Sequence, residues 1–144
     1  MKKVGIGGDH AGFEYKEKVI VFLKAQGFEV TDFGPNTTDS VDYPDYIHPM
    51  ATAIEEGDLD CGIAICGSGN GVCMTANKHQ DIRAALVWNT ELAALARQHN
   101  NANVVCIPAR FVDYDLAEDM VKTFVSTDFE GGRHERRVNK ISCQ

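Results

Sequence analysis

Short apolar runs alternate with segments of helical periodicity from one end of the chain to the other, with no linker, internal repeat or low-complexity stretch between them. Residues 4–8 form a short apolar run closed by two glycines and Asp9, the pattern of a buried strand. Residues 12–26 carry Val19, Ile20 and Leu23 on one side of a predicted helix, and Gly27 follows where a helix C-terminal glycine belongs. A second strand is predicted over residues 28–33, closed by Gly34-Pro35. Beyond a polar loop, Asp45 is placed to cap a helix in which Ile47, Met50, Ala51 and Ile54 recur at i, i+3, i+4 and i+7.

The run Cys61–Cys66 is too continuously apolar for a half-exposed antiparallel strand and reads as a central parallel one. A glycine-rich turn and a helix towards Lys78 follow, then a fourth strand over residues 83–87. Asn89 or Thr90 can cap the next helix, with Leu92, Leu95, Ala96 and His99 on its stripe; residues 103–108 make a fifth strand. Asp113 or Asp115 can open a helix bearing Leu116, Met120, Val121 and Phe124, and the tail from Gly131 is short and basic. Strand and helix in strict alternation imply right-handed crossovers and a parallel sheet covered on both faces. The predicted fold is an α/β, Rossmann-like three-layer α/β/α sandwich around a five-stranded parallel sheet, a single domain over residues 1–144.

Composition narrows what such a fold does. At 144 residues the chain can bury roughly 70% of the surface its unfolded form exposes, so it needs no disulfide or metal staple. With 44% hydrophobic and 24% charged residues and only 4 prolines, long disorder and fibrous repeats are excluded. A net charge of −7 argues against nucleic acid or an anionic membrane as a general partner, while leaving room for a local basic pocket. No run approaches the ~18 apolar residues of a membrane span. The N-terminus meets Gly5 and Asp9 too soon for an export signal, so a cytoplasmic protein is expected. The five cysteines are odd in number and lack C-x-x-C spacing, the mark of free thiols in a reducing compartment. No tight pair of ligands nucleates a zinc site, and no metal is expected.

In sheets of this type ligands bind beyond the carboxyl ends of the strands, which singles out residues 7–12, residues 66–71 and Arg110. A dinucleotide fingerprint needs a small residue at its sixth position; counting from Gly5, Gly67 and Gly69, that position holds His10, Val72 and Met74. A Walker A loop fails for want of Gly-Lys-Ser/Thr. The loop Gly67-Ser68-Gly69-Asn70-Gly71 suits the donation of several backbone N–H groups to one anionic oxygen, although a ligand-free strand-to-helix turn has the same composition. Cys66 stands at a strand end before a helix N-terminus, a place that favours a thiolate; a buried packing thiol fits the position equally well. Cys61, Cys73, Cys106 and Cys143 lack that context and read as packing residues. His99 falls on the apolar stripe of its helix, as a hydrogen-bonded core histidine would. Asp9 and His10 suit either helix capping or a proton-handling pair. Arg133 and Arg137, four apart, would share one face of a helix and grip a phosphate, or form part of a solvated basic face.

These segments together are more specific than any one of them. Gly8-Asp9-His10-Ala11-Gly12, Asp42-Tyr43-Pro44, residues 66–71, Ala76-Asn77-Lys78, Arg97-Gln98-His99-Asn100 and Gly131-Gly132-Arg133-His134-x-x-Arg137 occur in order. The chain resembles, over essentially its whole length, the family of type B ribose-5-phosphate isomerases, which also holds the galactose-6-phosphate isomerase subunits. The resemblance implies a cofactor- and metal-independent aldose–ketose isomerase of the pentose phosphate pathway, converting ribose 5-phosphate and ribulose 5-phosphate through an enediolate. It implies Cys66 as the base and Ser68, with the amides of Gly67, Gly69, Asn70 and Gly71, as the enediolate's oxyanion site. It further implies His99 as ring-opening proton donor, Asp9 and Asn100 on sugar hydroxyls, and Arg133, Arg137, His10 and Arg110 on the phosphate. Tyr43 would line the pocket. Members are homodimers or dimers of dimers with the site shared between subunits. Many have Thr where this chain has Ser68, and another branch places a Glu where this chain has Val72, so here the base falls to Cys66. The remaining alternatives are an isomerase of a 6-phosphate hexose, a noncatalytic sugar-phosphate sensor and a flavodoxin-like electron carrier.

Overall fold

In the computed structural model, residues 1–143 are described, and Gln144, the end of the basic tail, lies outside them. β1 (Lys3–Gly8), β2 (Glu29–Asp32), β3 (Cys61–Cys66), β4 (Ala84–Leu86) and β5 (Val104–Pro108) build one sheet in the order β2-β1-β3-β5-β4, every neighbouring pair parallel. The helices are α1 (Phe13–Ala25), α2 (Pro44–Glu55), α3 (Asn70–Ala76), α4 (Thr90–Gln98), α5 (Tyr114–Ser126) and α6 (Arg133–Val138).

The period of two in a strand divides the core between the sheet's faces. Ile63 and Ile65 of β3, with Val105 and Ile107 of β5, meet Val19 and Leu23 of α1, Ala93 and Ala96 of α4, and Met120 and Phe124 of α5. Ala64, Cys66, Val104 and Cys106 point the other way, against Ile47, Met50 and Ile54 of α2 and Val72 and Ala76 of α3. This is the expected three-layer sandwich, with Cys66 assigned to the layer under α2 and α3. No helix among the described residues is long and apolar enough to cross a membrane.

Several local expectations change. Asp45 does not cap α2: the helix begins one residue earlier at Pro44, with Tyr43 as the cap, and Asp45 sits inside the first turn, where its charge faces the positive helix end. Asn89 and Asp113, rather than Thr90 and Asp115, cap α4 and α5, each accepting at 2.8 Å from the amide three residues on. The first helix is preceded by a 3₁₀ turn, His10–Gly12, and the third ends at Ala76, before Lys78. The buried face of α4 is Ala93, Ala96 and Arg97, rotated from the expected stripe of Leu92, Leu95, Ala96 and His99. Arg97 drives that rotation. Its guanidinium donates to the carbonyls of Ala102 (2.6 Å) and Thr127 (3.0 Å) and to Asn101 Oδ1 (3.0 Å), a buried cation satisfied by backbone at the helix C-terminus.

Candidate active site

From β1 the chain moves outward to β2 and then returns to β3 on the other side of β1, so the loops leaving β1 and β3 diverge and open a crevice between them. Backbone bonds fix its floor: Asp9 N donates to Ile65 O (3.3 Å), Ala109 N to Cys66 O (2.9 Å) and Arg110 N to Gly67 O (3.0 Å). The ends of β1, β3 and β5 therefore sit in register beneath a cavity of about 500 Å³, lined by Asp9, His10, Tyr43, Cys66, Ser68 and Arg110 among others. That volume lies within the range of small-molecule sites.

Cys66 is 5% exposed and faces the layer of α2 and α3. The loop after it enters α3 through Gly69, whose φ of 77° is left-handed and favours glycine. Ser68 Oγ accepts from Asn70 N at 3.3 Å. Gly71 is required by contact: a Cβ there would press on the Tyr43 ring, with Oη only 2.7 Å away. Tyr43 thus leans directly on the glycine loop. Asp9 Oδ1 caps the 3₁₀ turn, accepting from Ala11 N (2.9 Å) and Gly12 N (3.3 Å), which leaves Oδ2 for another partner. His10 Nδ1 accepts from Val41 N at 3.2 Å, which assigns the proton of the neutral ring to Nε2. The two side chains are anchored separately, Asp9 on the 3₁₀ turn and His10 on Val41, and no ion pair joins them. Arg110 packs its guanidinium over Gly67, with Nη1 3.3 Å from where a Cβ would stand.

His99, Asn100, Arg133 and Arg137 are not in this cavity. His99 ends α4 with its side chain 38% exposed, so it is no core histidine; its ring stacks on His134, centroids 4.2 Å apart. Burial, together with His99 and Arg133, holds His134 below the ordinary histidine range. Asn100 lines a different cavity, of about 400 Å³, between β4 and the C-terminal tail. Arg133 and Arg137 lie on α6, exposed, and neither forms an ion pair among the described residues. The expected site is therefore split in one copy of the chain: Cys66 and the glycine loop in one group, His99 and the α6 arginines in another.

Sequence reasoning missed Phe111, which lines the Cys66 cavity and is 77% exposed, and Glu130, which sits beside His99 and His134. Only the Glu130–His134 spacing of four hints at the latter. The cysteines behave mostly as expected: burial pushes the Cys61 thiol up to about 12 and the Cys106 thiol well above its ordinary value. Cys73 is lowered by its hydrogen bond with Cys106. Cys143 is the exception; it is exposed, with its amide on Gln80 Oε1 at 2.9 Å.

Comparison with known proteins converges on one family. The family model described as Ribose/Galactose Isomerase matches residues 4–141. The ribose-5-phosphate isomerase B of Escherichia coli is 40% identical over 143 residues, covering 99% of this chain and 96% of that protein. A crystal structure of a ribose 5-phosphate isomerase from Thermotoga maritima superimposes with a TM-score of 0.95 at 48% identity, over 98% of this chain and 97% of that one. The Mycoplasma genitalium ribose-5-phosphate isomerase B with bound ribulose-5-phosphate gives 0.92 at 46% identity, over 96% and 92%.

Proposed function

The chain belongs to the Ribose/Galactose Isomerase family, and from that premise we propose that it interconverts D-ribose 5-phosphate and D-ribulose 5-phosphate through an enediolate. The observation that carries this reading is the thiol of Cys66 at the end of β3, set in a cavity with the glycine loop, a spare Asp9 carboxylate oxygen and the Arg110 cation. A proton α to a carbonyl is weakly acidic, so its removal needs a base beside the carbon and donors aimed at the oxygen that gains charge. Cys66 takes the C2 proton of the open-chain aldose and returns it to C1. The Ser68 hydroxyl and the amides of residues 67–71 hold the enediolate oxygen, and Asp9 Oδ2 accepts from a sugar hydroxyl. His10, through Nε2–H, and Arg110 meet the phosphate, binding energy remote from the reacting carbons that helps lower the barrier.

His99, Asn100, Arg133 and Arg137 complete the site from a second copy. Their separation from Cys66 within one chain supports a homodimer in which the α4–α6 corner of one copy closes the Cys66 cavity of the other. His99 then donates the proton that opens the furanose ring, and the two arginines, one helical turn apart, clamp the phosphate. The free thiols fit a reducing cytoplasm.

Ribose 5-phosphate, allose 6-phosphate and galactose 6-phosphate assayed in parallel test the substrate; the reading expects the pentose to have the highest kcat/KM. Cys66→Ala should abolish turnover while sugar-phosphate binding, followed by thermal shift, stays nearly intact. Turnover within tenfold of wild type would refute Cys66 as the base.

A further inference from the structure

Three elements bring His99, Glu130 and His134 to one corner of the fold. His99 closes α4, Glu130 follows α5 with its amide donating to Gln98 O at 3.1 Å, and His134 lies in the first turn of α6. Glu130 Oε1 stands 3.9 Å from His99 Nε2 and 3.7 Å from His134 Nε2. One ligand atom from each residue lies within 4.8 Å of the other two. These separations are too long for hydrogen bonds and close to those of atoms sharing an ion. Donors bound at about 2.0–2.2 Å to a tetrahedral cation stand roughly 3.3–3.6 Å apart, so the separations need little change, while the two rings, stacked at 4.2 Å and 15°, turn out of the stack for both Nε2 lone pairs to meet one ion.

The donor chemistry is equally pointed. Two imidazoles and one carboxylate suit Zn²⁺, Ni²⁺ or Cu²⁺, whereas Mg²⁺ and Ca²⁺ take oxygen. The His134 side chain is only 12% exposed and its Nε2 stands 3.7 Å from Glu130 Oε1, and an imidazole ligates an ion in its neutral form. Glu130 places a negative charge beside the two imidazoles. Glu130 and His134 stand four residues apart and His99 is distant in sequence, so the site joins one local pair to a ligand from another element.

The geometry points to a three-ligand site for a divalent transition ion of the Zn²⁺ type, formed by His99, Glu130 and His134 with a further position open. Its consequence rests on the proposed role of His99: an ion on Nε2 occupies the atom that would hold the ring-opening proton, so filling the site inhibits isomerisation.

Co²⁺ titrated into the full-length protein reports the site directly. The expected result is the visible absorption of a low-coordinate N/O site, lost in Glu130→Gln and in His134→Gln. Partners beyond the ligands already change metal affinity ~10–100-fold, so losing the Glu130 ligand should raise the Zn²⁺ concentration for half-inhibition by at least ~10-fold. Glu130→Gln should keep the basal turnover of ribose 5-phosphate, because its side chain is exposed and takes no part in the proposed chemistry. A thiolate-to-cobalt band that vanishes in Cys66→Ala and survives Glu130→Gln would overturn the assignment. So would calorimetric Zn²⁺ binding undiminished in both variants. Metal bound at these three residues with turnover intact would support the site and count against His99 as the ring-opening donor.

Discussion

Single side chains set the geometry at two places. Gly71 leaves the space that the Tyr43 ring fills, so Gly71→Ala should push the ring, which is the movable partner, rather than the backbone. The expected outcome is a melting temperature close to wild type with kcat/KM for ribose 5-phosphate lowered roughly 10–100-fold, the scale at which small misplacements act. A kinetically silent Gly71→Ala would show that Tyr43 does not need its position. Arg97 is the second place. It is 7% exposed and ties the carbonyls of Ala102 and Thr127 into the turn that carries His99 and Asn100. Arg97→Leu leaves those carbonyls unsatisfied and should cost on the order of 3 kcal/mol by denaturant unfolding. A cost under about 1 kcal/mol would mean that water replaces the guanidinium.

Elements are held by their ends as much as by their faces. Asn89 caps α4, and Asn89→Ala should lower stability by about 1 kcal/mol, measured as a shift in the denaturant midpoint without a change in slope. At the other edge of the fold, Asp60 precedes β3 and accepts the amides of Lys2 and Lys3 at 2.8 Å each, stitching the start of β1 to β3. Those two backbone bonds hold its carboxyl below the ordinary aspartate value. A folded pKa that lies below the unfolded one stabilises the fold above the unfolded value, about 4, and the gain disappears as pH falls through the folded value. Thermal unfolding of wild type and Asp60→Asn should accordingly differ at pH 7 and converge in acid. A constant gap across that range would sink the linkage. Two N-caps were readable in the sequence as a choice between nearby residues, Asn89 or Thr90 and Asp113 or Asp115, since a cap depends on local bonding, whereas the cap expected at Asp45 failed because Pro44 already opens α2. The face of α4 was not readable, because a buried arginine satisfied by distant carbonyls carries no hydrophobic periodicity.

For the whole molecule, the division of the site gives the sharpest test. Cys66→Ala and His99→Asn should each be nearly inactive on ribose 5-phosphate alone. If one copy's Cys66 works with the other copy's His99, a mixed dimer rebuilds one intact site out of two. Random exchange makes half the dimers mixed, so unfolding and refolding an equal mixture should restore roughly a quarter of wild-type activity. No recovery, with mixed dimers demonstrated by mass, would place each site within a single chain. The sequence by itself determined the layers and their order of appearance, because apolar runs and helical periods are local and the sheet's two faces follow from a period of two. It also marked Asp9, Cys66 and the glycine loop, since parallel strands end at the same edge and their following residues must meet there. Only the tertiary structure decided that His99, Asn100, Arg133 and Arg137 stand apart from Cys66, and that His134 and Glu130 gather around His99. Those relations join residues across three elements, through stacking and charge that leave no period in the chain.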